Sequence, residues 1–154
     1  MWPSVQRACL IVLLSSALGL VVNLVSPKGI PFITPPKLLP KPEELITLEQ
    51  AREQWSGGLG FFLDSRAPDD YAAGHIANAL NLPADHFEPH WAEVAALLAP
   101  DTPIVVYCDG VECELSHRLK AKLAELGFPN VKILQNGWTV WRTAGLATEQ
   151  GARK

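Results

Sequence analysis

The uninterrupted run Ile104-Val105-Val106-Tyr107 constrains this chain more than any other stretch. Four apolar residues, β-branched or aromatic, follow one another without alternation, which suits a short strand buried on both faces of a parallel sheet. The pattern breaks at Cys108 into a polar loop, Asp109-Gly110-Val111-Glu112-Cys113-Glu114. Leu115, Leu119, Leu123 and Leu126 then recur at helical spacing. A thiol therefore stands at the carboxyl end of a buried strand, where a loop turns into a helix. Unpaired N–H groups and the positive end of a helix dipole favour an anion there, and the thiolate is the reactive form of cysteine. A small core residue would occupy the same place, so local pattern alone leaves two readings, nucleophile and packing residue.

The neighbouring segments build a domain around this strand. Thr47 is placed to cap a helix running to Gln54 or Trp55, and Gly57-Gly58 breaks the chain before a strand at Phe61-Phe62-Leu63. A short helix is expected over Ala67–Ala73, a strand over Leu80–Leu82, and a helix over Trp91–Ala99 stopped by Pro100. Gly127 reads as the C-cap of the helix after Cys108, followed by a strand at Val131–Leu134 and a helix over Trp138–Ala144. Strands alternating with helices predict an α/β fold, a parallel sheet flanked by helices on both faces. In such sheets the site lies at the carboxyl ends of the strands, where Cys108 falls.

Before that domain stands an apolar segment. Ala8–Val25 is 18 residues without a charge, about 27 Å as a helix, close to the thickness of a bilayer core. A signal peptide is the competing reading, but Leu24-Val25-Ser26 lacks the small residues of a cleavage site. Residues 1–26 are accordingly expected to form a single-pass N-terminal transmembrane anchor. Arg7 flanks one end and Lys28, Lys37 and Lys41 the other. The Lys/Arg count places the following domain in the cytoplasm, whereas a short tail with one Arg is typical of an exporting anchor, so the side stays open. Residues 27–43 hold six prolines, a semi-rigid spacer, and residues 44–150 form the domain. A net charge of −3 with no long basic run gives no sign of a nucleic-acid surface. Three cysteines without zinc spacing imply neither a disulfide scaffold nor a metal centre. His86 and His90 are four apart, but Pro89 between them is expected to break a helix that would align them.

Four blocks carry a resemblance. Phe62-Leu63-Asp64-Ser65-Arg66, Tyr71 to Pro83 with Gly74-His75-Ile76, the Cys108 strand and loop, and Asn136-Gly137-Trp138 to Leu146 appear in the order found in rhodanese-like domains. Together they cover roughly Leu45 to Ala147, and the chain is identified as resembling that family. The resemblance implies a sulfurtransferase with no cofactor. Cys108 would carry sulfane sulfur as a persulfide, received from a small-molecule or protein-bound donor and passed to a thiol acceptor. Backbone N–H groups from Asp109 to Glu114 would cradle the terminal sulfur, with Gly110 permitting the tight turn. It implies supporting roles for Asp64, Arg66 and His75: Arg66 paired with Asp69 or Asp70 of the next helix, with substrate contact the alternative, and His75 a scaffold histidine bonded to backbone. Asn78 stands where the family usually has glycine, in a turn.

The loop departs from the family pattern in charge and length. Asp109, Glu112 and Glu114 oppose an incoming dianion such as thiosulfate. From Cys108 to Gly127 is 19 positions, about two more than in short-loop members. Related phosphatases close an enlarged loop with an Arg, and no Arg lies between Cys108 and Ser116. Cys113 gives a C-x4-C spacing, open to a resolving thiol that makes the pair a thiol–disulfide redox centre or to a small packing residue. His117 and Arg118 either bring positive charge to the loop or form a solvated helix face. Trp138 and Trp141 are expected to pack the last helix on the domain. A rhodanese fold with an acidic loop also fits a binding or regulatory module.

Overall fold

The computed structural model describes residues 2–26, 41–110 and 114–151. Most of the expected spacer, and Val111, Glu112 and Cys113 of the loop, lie outside the described residues. The chain divides into two compact units, Met1–Lys37 and Leu38–Lys154.

The first unit carries helix α1, Trp2–Val25. Its stretch Ser4–Val25 is long and apolar enough to cross a membrane, and its large side chains, such as Leu13 and Leu14, are exposed. A helix that is apolar all round has no stripe with which to face a soluble core. Ser15 donates to the Val12 carbonyl at 3.0 Å, so the hydroxyl is satisfied within the helix itself.

The second unit is built on four short parallel strands, β1 (Phe61–Asp64), β3 (Leu80–Asn81), β4 (Ile104–Tyr107) and β5 (Val131–Leu134), ordered β3-β1-β4-β5. Helices α2 (Leu48–Ser56), α3 (Pro68–Ala73), α4 (Phe87–Ala95), α5 (Glu114–Glu125) and α6 (Gly137–Thr143) connect or cover them. Because strand side chains alternate, the apolar run of β4 splits between two cores. Ile104 and Val106 join Leu63 against Leu119 and Leu123 of α5 and Phe87 and Val94 of α4. Val105 and Tyr107 join Phe62 against Ala51 of α2 and Trp141 of α6. Each such side chain contributes about 1.5–3 kcal/mol by leaving water, which is why β4 has no polar position. Trp141 is fully buried, with Phe62 at 5.6 Å and Trp55 at 5.8 Å between ring centroids, and its indole N–H donates to the Ala147 carbonyl.

Local signals start and stop these elements. Thr47 and Gln50 form a reciprocal capping box at the start of α2. Gly127 follows α5 at φ +89°, the left-handed turn that ends a helix. The Leu45–Ile46 segment bridges to Ile133, so the outer edge of β5 is partly paired.

Two expectations are corrected, and one element is added. Helix α4 begins at Phe87, not Trp91, and ends at Ala95. Pro89 falls in its first turn, where a missing N–H costs no intrahelical bond, so the proline opens this helix and does not break it. The chain from Ala95 to Ala99 leaves the helix through the turns Leu97 to Val94 and Leu98 to Ala95. A second, two-stranded antiparallel sheet joins β2 (His75–Ile76) to β6 (Thr148–Glu149). Two residues per strand give no periodicity to read.

Candidate active site

Cys108 follows β4 directly and is 1% exposed. Its backbone is held from two directions. Ser65, just beyond β1, donates both its N–H (3.0 Å) and its hydroxyl (2.9 Å) to the Tyr107 carbonyl. From the other side, Trp138 N–H donates to the Cys108 carbonyl at 3.1 Å. Gly137 makes that approach possible, since a Cβ there would lie 2.6 Å from Cβ of Tyr107. Across the loop, the buried Ser116 hydroxyl in the first turn of α5 stands 3.4 Å from Cys108 Sγ. Cys108 is disulfide-bonded, so its sulfur has no proton and the Ser116 hydroxyl is the donor; Cys9 is a free, exposed cysteine.

The end of β1 is a buried ion pair. Asp64 is fully buried and Arg66 7% exposed. The guanidinium reaches Asp64 Oδ2 through Nη2 at 2.6 Å and Oδ1 through Nε at 3.0 Å, and donates to the Gly74 carbonyl at 2.7 Å. This replaces the expected pairing with Asp69 or Asp70: the Asp64 carboxylate also accepts the Arg66 backbone N–H, so the two residues close on each other across a tight turn. Burial works against the charge on Arg66, but Asp64 outweighs it and holds the guanidinium above its ordinary pKa. Arg66 and Arg142 each lie over the Trp138 ring, at 5.0 and 5.7 Å from its centroid. The Tyr107 phenol, pushed far up by burial and then by Asp64, stays protonated and accepts the Ile76 N–H. His75 meets the Tyr71 carbonyl through Nδ1 at 2.9 Å and stacks on the Tyr71 ring. Asn78 has φ +66°, consistent with a turn position that suits glycine.

The acidic loop is more engaged than its charges suggest. Asp109 Oδ1 accepts from the Thr139 hydroxyl at 2.6 Å and from the Gly110 N–H at 3.1 Å. That same N–H donates to Asn136 Oδ1 at 2.9 Å. Asn136 itself has φ +51°, the left-handed region Asn tolerates. Gly110, at φ +91°, has the backbone freedom expected of it, but its N–H is taken up by Asp109 and by Asn136 just before α6. Glu114 opens α5 and is exposed. Arg118 pairs with Asp85, and burial holds His117 below its ordinary pKa against the pull of Glu44, so neither is a free charge over Cys108. His90 Nδ1 bonds the His86 carbonyl at 3.0 Å. Among the described residues no group of three or more His, Cys, Asp or Glu is placed to hold a metal ion. Sequence reasoning did not assign roles to Ser65, Ser116, Asn136 and Thr139. The Asn136-Gly137 dipeptide is a turn signal, but nothing local says which strand end its side chain meets.

The rhodanese-like domain pattern matches residues 44–144. The HTH-type transcriptional regulator Rv0324 of Mycobacterium tuberculosis is 33% identical over 115 residues, 75% of this chain and 49% of that protein. The tRNA uridine(34) hydroxylase of Photorhabdus laumondii is 32% identical over 114 residues, 72% of this chain and 31% of that one. The crystal structure of a thiosulfate sulfurtransferase from Pseudomonas aeruginosa superposes with a TM-score of 0.59 at 31% identity, over 70% of this chain and 20% of that chain. The chain thus spans half or less of the curated relatives it matches. It belongs to the rhodanese-like family, whose members include sulfur-transfer enzymes.

Proposed function

We propose that this chain is a membrane-anchored sulfurtransferase that carries sulfane sulfur on Cys108. The observation that carries the reading is the placement of Cys108 Sγ at the carboxyl end of β4, 3.4 Å from the Ser116 hydroxyl and before the amino end of α5. A thiolate there attacks the outer sulfur of a donor R–S–S⁻. A new S–S bond forms on Cys108, the donor's S–S bond breaks, and R–S⁻ leaves with the electron pair. The terminal sulfur then passes to an acceptor thiolate, which regenerates the Cys108 thiolate. The Ser116 hydroxyl and the first N–H groups of α5 are the donors for the negative sulfur. The test is intact-mass analysis of the reduced full chain in detergent, after exposure to thiosulfate and to a low-molecular-weight persulfide. A gain of one sulfur is expected in the wild type and in Cys113→Ser and is lost in Cys108→Ser. Sulfur found only on Cys113, or on no cysteine with any donor, removes the carrier assignment.

The disulfide at Cys108 favours a second reading. In it Cys113, which lies outside the described residues, acts as the resolving thiol suggested by the C-x4-C spacing. A Cys113 thiolate attacking Sγ of a Cys108 persulfide releases hydrosulfide and leaves a disulfide between the two, which an external dithiol returns to two thiols with two electrons and two protons. Sulfur retained on Cys113→Ser but released as hydrosulfide from the wild type, leaving the disulfide, supports a resolving role. Equal retention on both removes it.

The anchor is part of the proposal. The α1 helix is expected to hold the full chain in the membrane fraction through alkaline carbonate washing. Recovery in the soluble fraction, or a mature N-terminus beyond Ser26, overturns it.

A further inference from the structure

We propose that Asn136, with Asp109, sets which sulfur donors Cys108 accepts by withdrawing the Gly110 N–H from the anion-binding side of the loop. This rests on the sulfur-carrier reading above. A loop that cradles an oxyanion does so with its backbone N–H groups. Here the second N–H after Cys108 is committed elsewhere: it is shared between Asn136 Oδ1 at 2.9 Å and Asp109 Oδ1 at 3.1 Å. The arrangement is fixed on both sides. Asp109 is tied to α6 by the Thr139 hydroxyl at 2.6 Å, and Asn136 sits at the amino end of α6, whose Trp138 N–H holds the Cys108 carbonyl. An N–H already bonded to a carboxylate and an amide oxygen has little left to give a ligand. Thiosulfate brings two negative charges and three oxygens that need donors. A persulfide sulfur is a single, more diffuse anion that needs fewer. Losing one charge-assisted donor therefore penalises thiosulfate more than a persulfide.

Asn136 acts through Gly110 and is a positioning residue. The measurement compares two variants of the reduced full chain, Asp109→Asn and Asp109→Asn/Asn136→Gly, each with thiosulfate and with a low-molecular-weight persulfide. Both lack the Asp109 charge, so they differ in the Asn136 side-chain acceptor. Glycine keeps the φ +51° backbone accessible at 136. The double variant is expected to raise kcat/KM for thiosulfate about tenfold, chiefly through KM, and to change the persulfide reaction less than about threefold. Asn136→Asp, which keeps an oxygen acceptor, should retain the wild-type order of donors. An unchanged thiosulfate-to-persulfide ratio in the double variant, or an equal rise with both donors, overturns the role of Asn136 while leaving Cys108 as carrier. Absence of sulfur on wild-type Cys108 with every donor overturns the carrier reading and this inference with it.

Discussion

The neighbouring strands β1 and β4 run parallel in register, Asp64 beside Tyr107, yet their carboxyl ends are finished in opposite ways. Beyond β1, Asp64 and Arg66 satisfy each other within three residues and out of water. Beyond β4, Cys108, Asp109 and Gly110 find their partners in other elements: Trp138, Thr139 and Asn136 of the α6 segment, and Ser116 of α5. The first end neutralises its charges locally, with Gly74 as one further acceptor, and the second is a loop suspended between two helices. A reactive sulfur needs the second kind. Its backbone must be held, as that of Cys108 is by Ser65 and Trp138.

The comparison breaks most sharply at Asp64. Asp64→Ala leaves the Arg66 guanidinium buried beside a carbonyl without its carboxylate, and the domain should lose about 3–5 kcal/mol of stability, measured by urea unfolding. A loss below about 1 kcal/mol would mean that the two charges are not neutralised locally. Removing both charges with Asp64→Asn/Arg66→Met should cost less than Asp64→Ala alone.

Ser116→Ala tests the other strand end. It removes a hydroxyl donor to sulfur while the backbone clamps remain, so sulfur loading of Cys108 should slow about three- to tenfold with a stability change near 1 kcal/mol. An unchanged loading rate would assign the 3.4 Å contact to packing alone.

The loop acids come next. Asp109→Asn/Glu112→Gln should raise thiosulfate use by up to about tenfold at low salt, and less at high salt, where screening removes the difference. A rate unaffected at every ionic strength would show that charge is not what limits the donor. Asp109→Asn keeps an oxygen for Thr139 and Gly110, so the fold should be little changed.

The smallest effect is expected where pairing occurs without burial. Lys120 and the Lys41 N–H hold Glu44 below its ordinary carboxylate pKa of 4.5. The folded value is depressed, so this contribution is present above that pH and is lost as pH falls through the lowered value. Both side chains are partly exposed, and Glu44→Gln should cost less than about 1 kcal/mol near neutral pH, with the difference from wild type vanishing on acidification. A loss comparable to Asp64→Ala would show that pairing alone, and not burial, separates the two cases.

The sequence by itself determined the layered α/β fold, the strand that ends at Cys108 and the apolar first helix. These rest on period, uninterrupted apolar runs and caps, all of which are local: Thr47 starts α2 as expected, and Gly127 ends α5. Tertiary structure decided the partners. Asp69 and Asp70 were near Arg66 in sequence, but a tight turn gave Asp64 the pair. Pro89 read as a helix breaker until its place in the first turn of α4 was fixed by packing of Phe87 and Val94. Asn136 and Gly110 are 26 residues apart, and their contact exists because β5 delivers α6 beside the end of β4. Propensity acts over a few residues, whereas a side-chain hydrogen bond across a sheet depends on the geometry of every element between its ends.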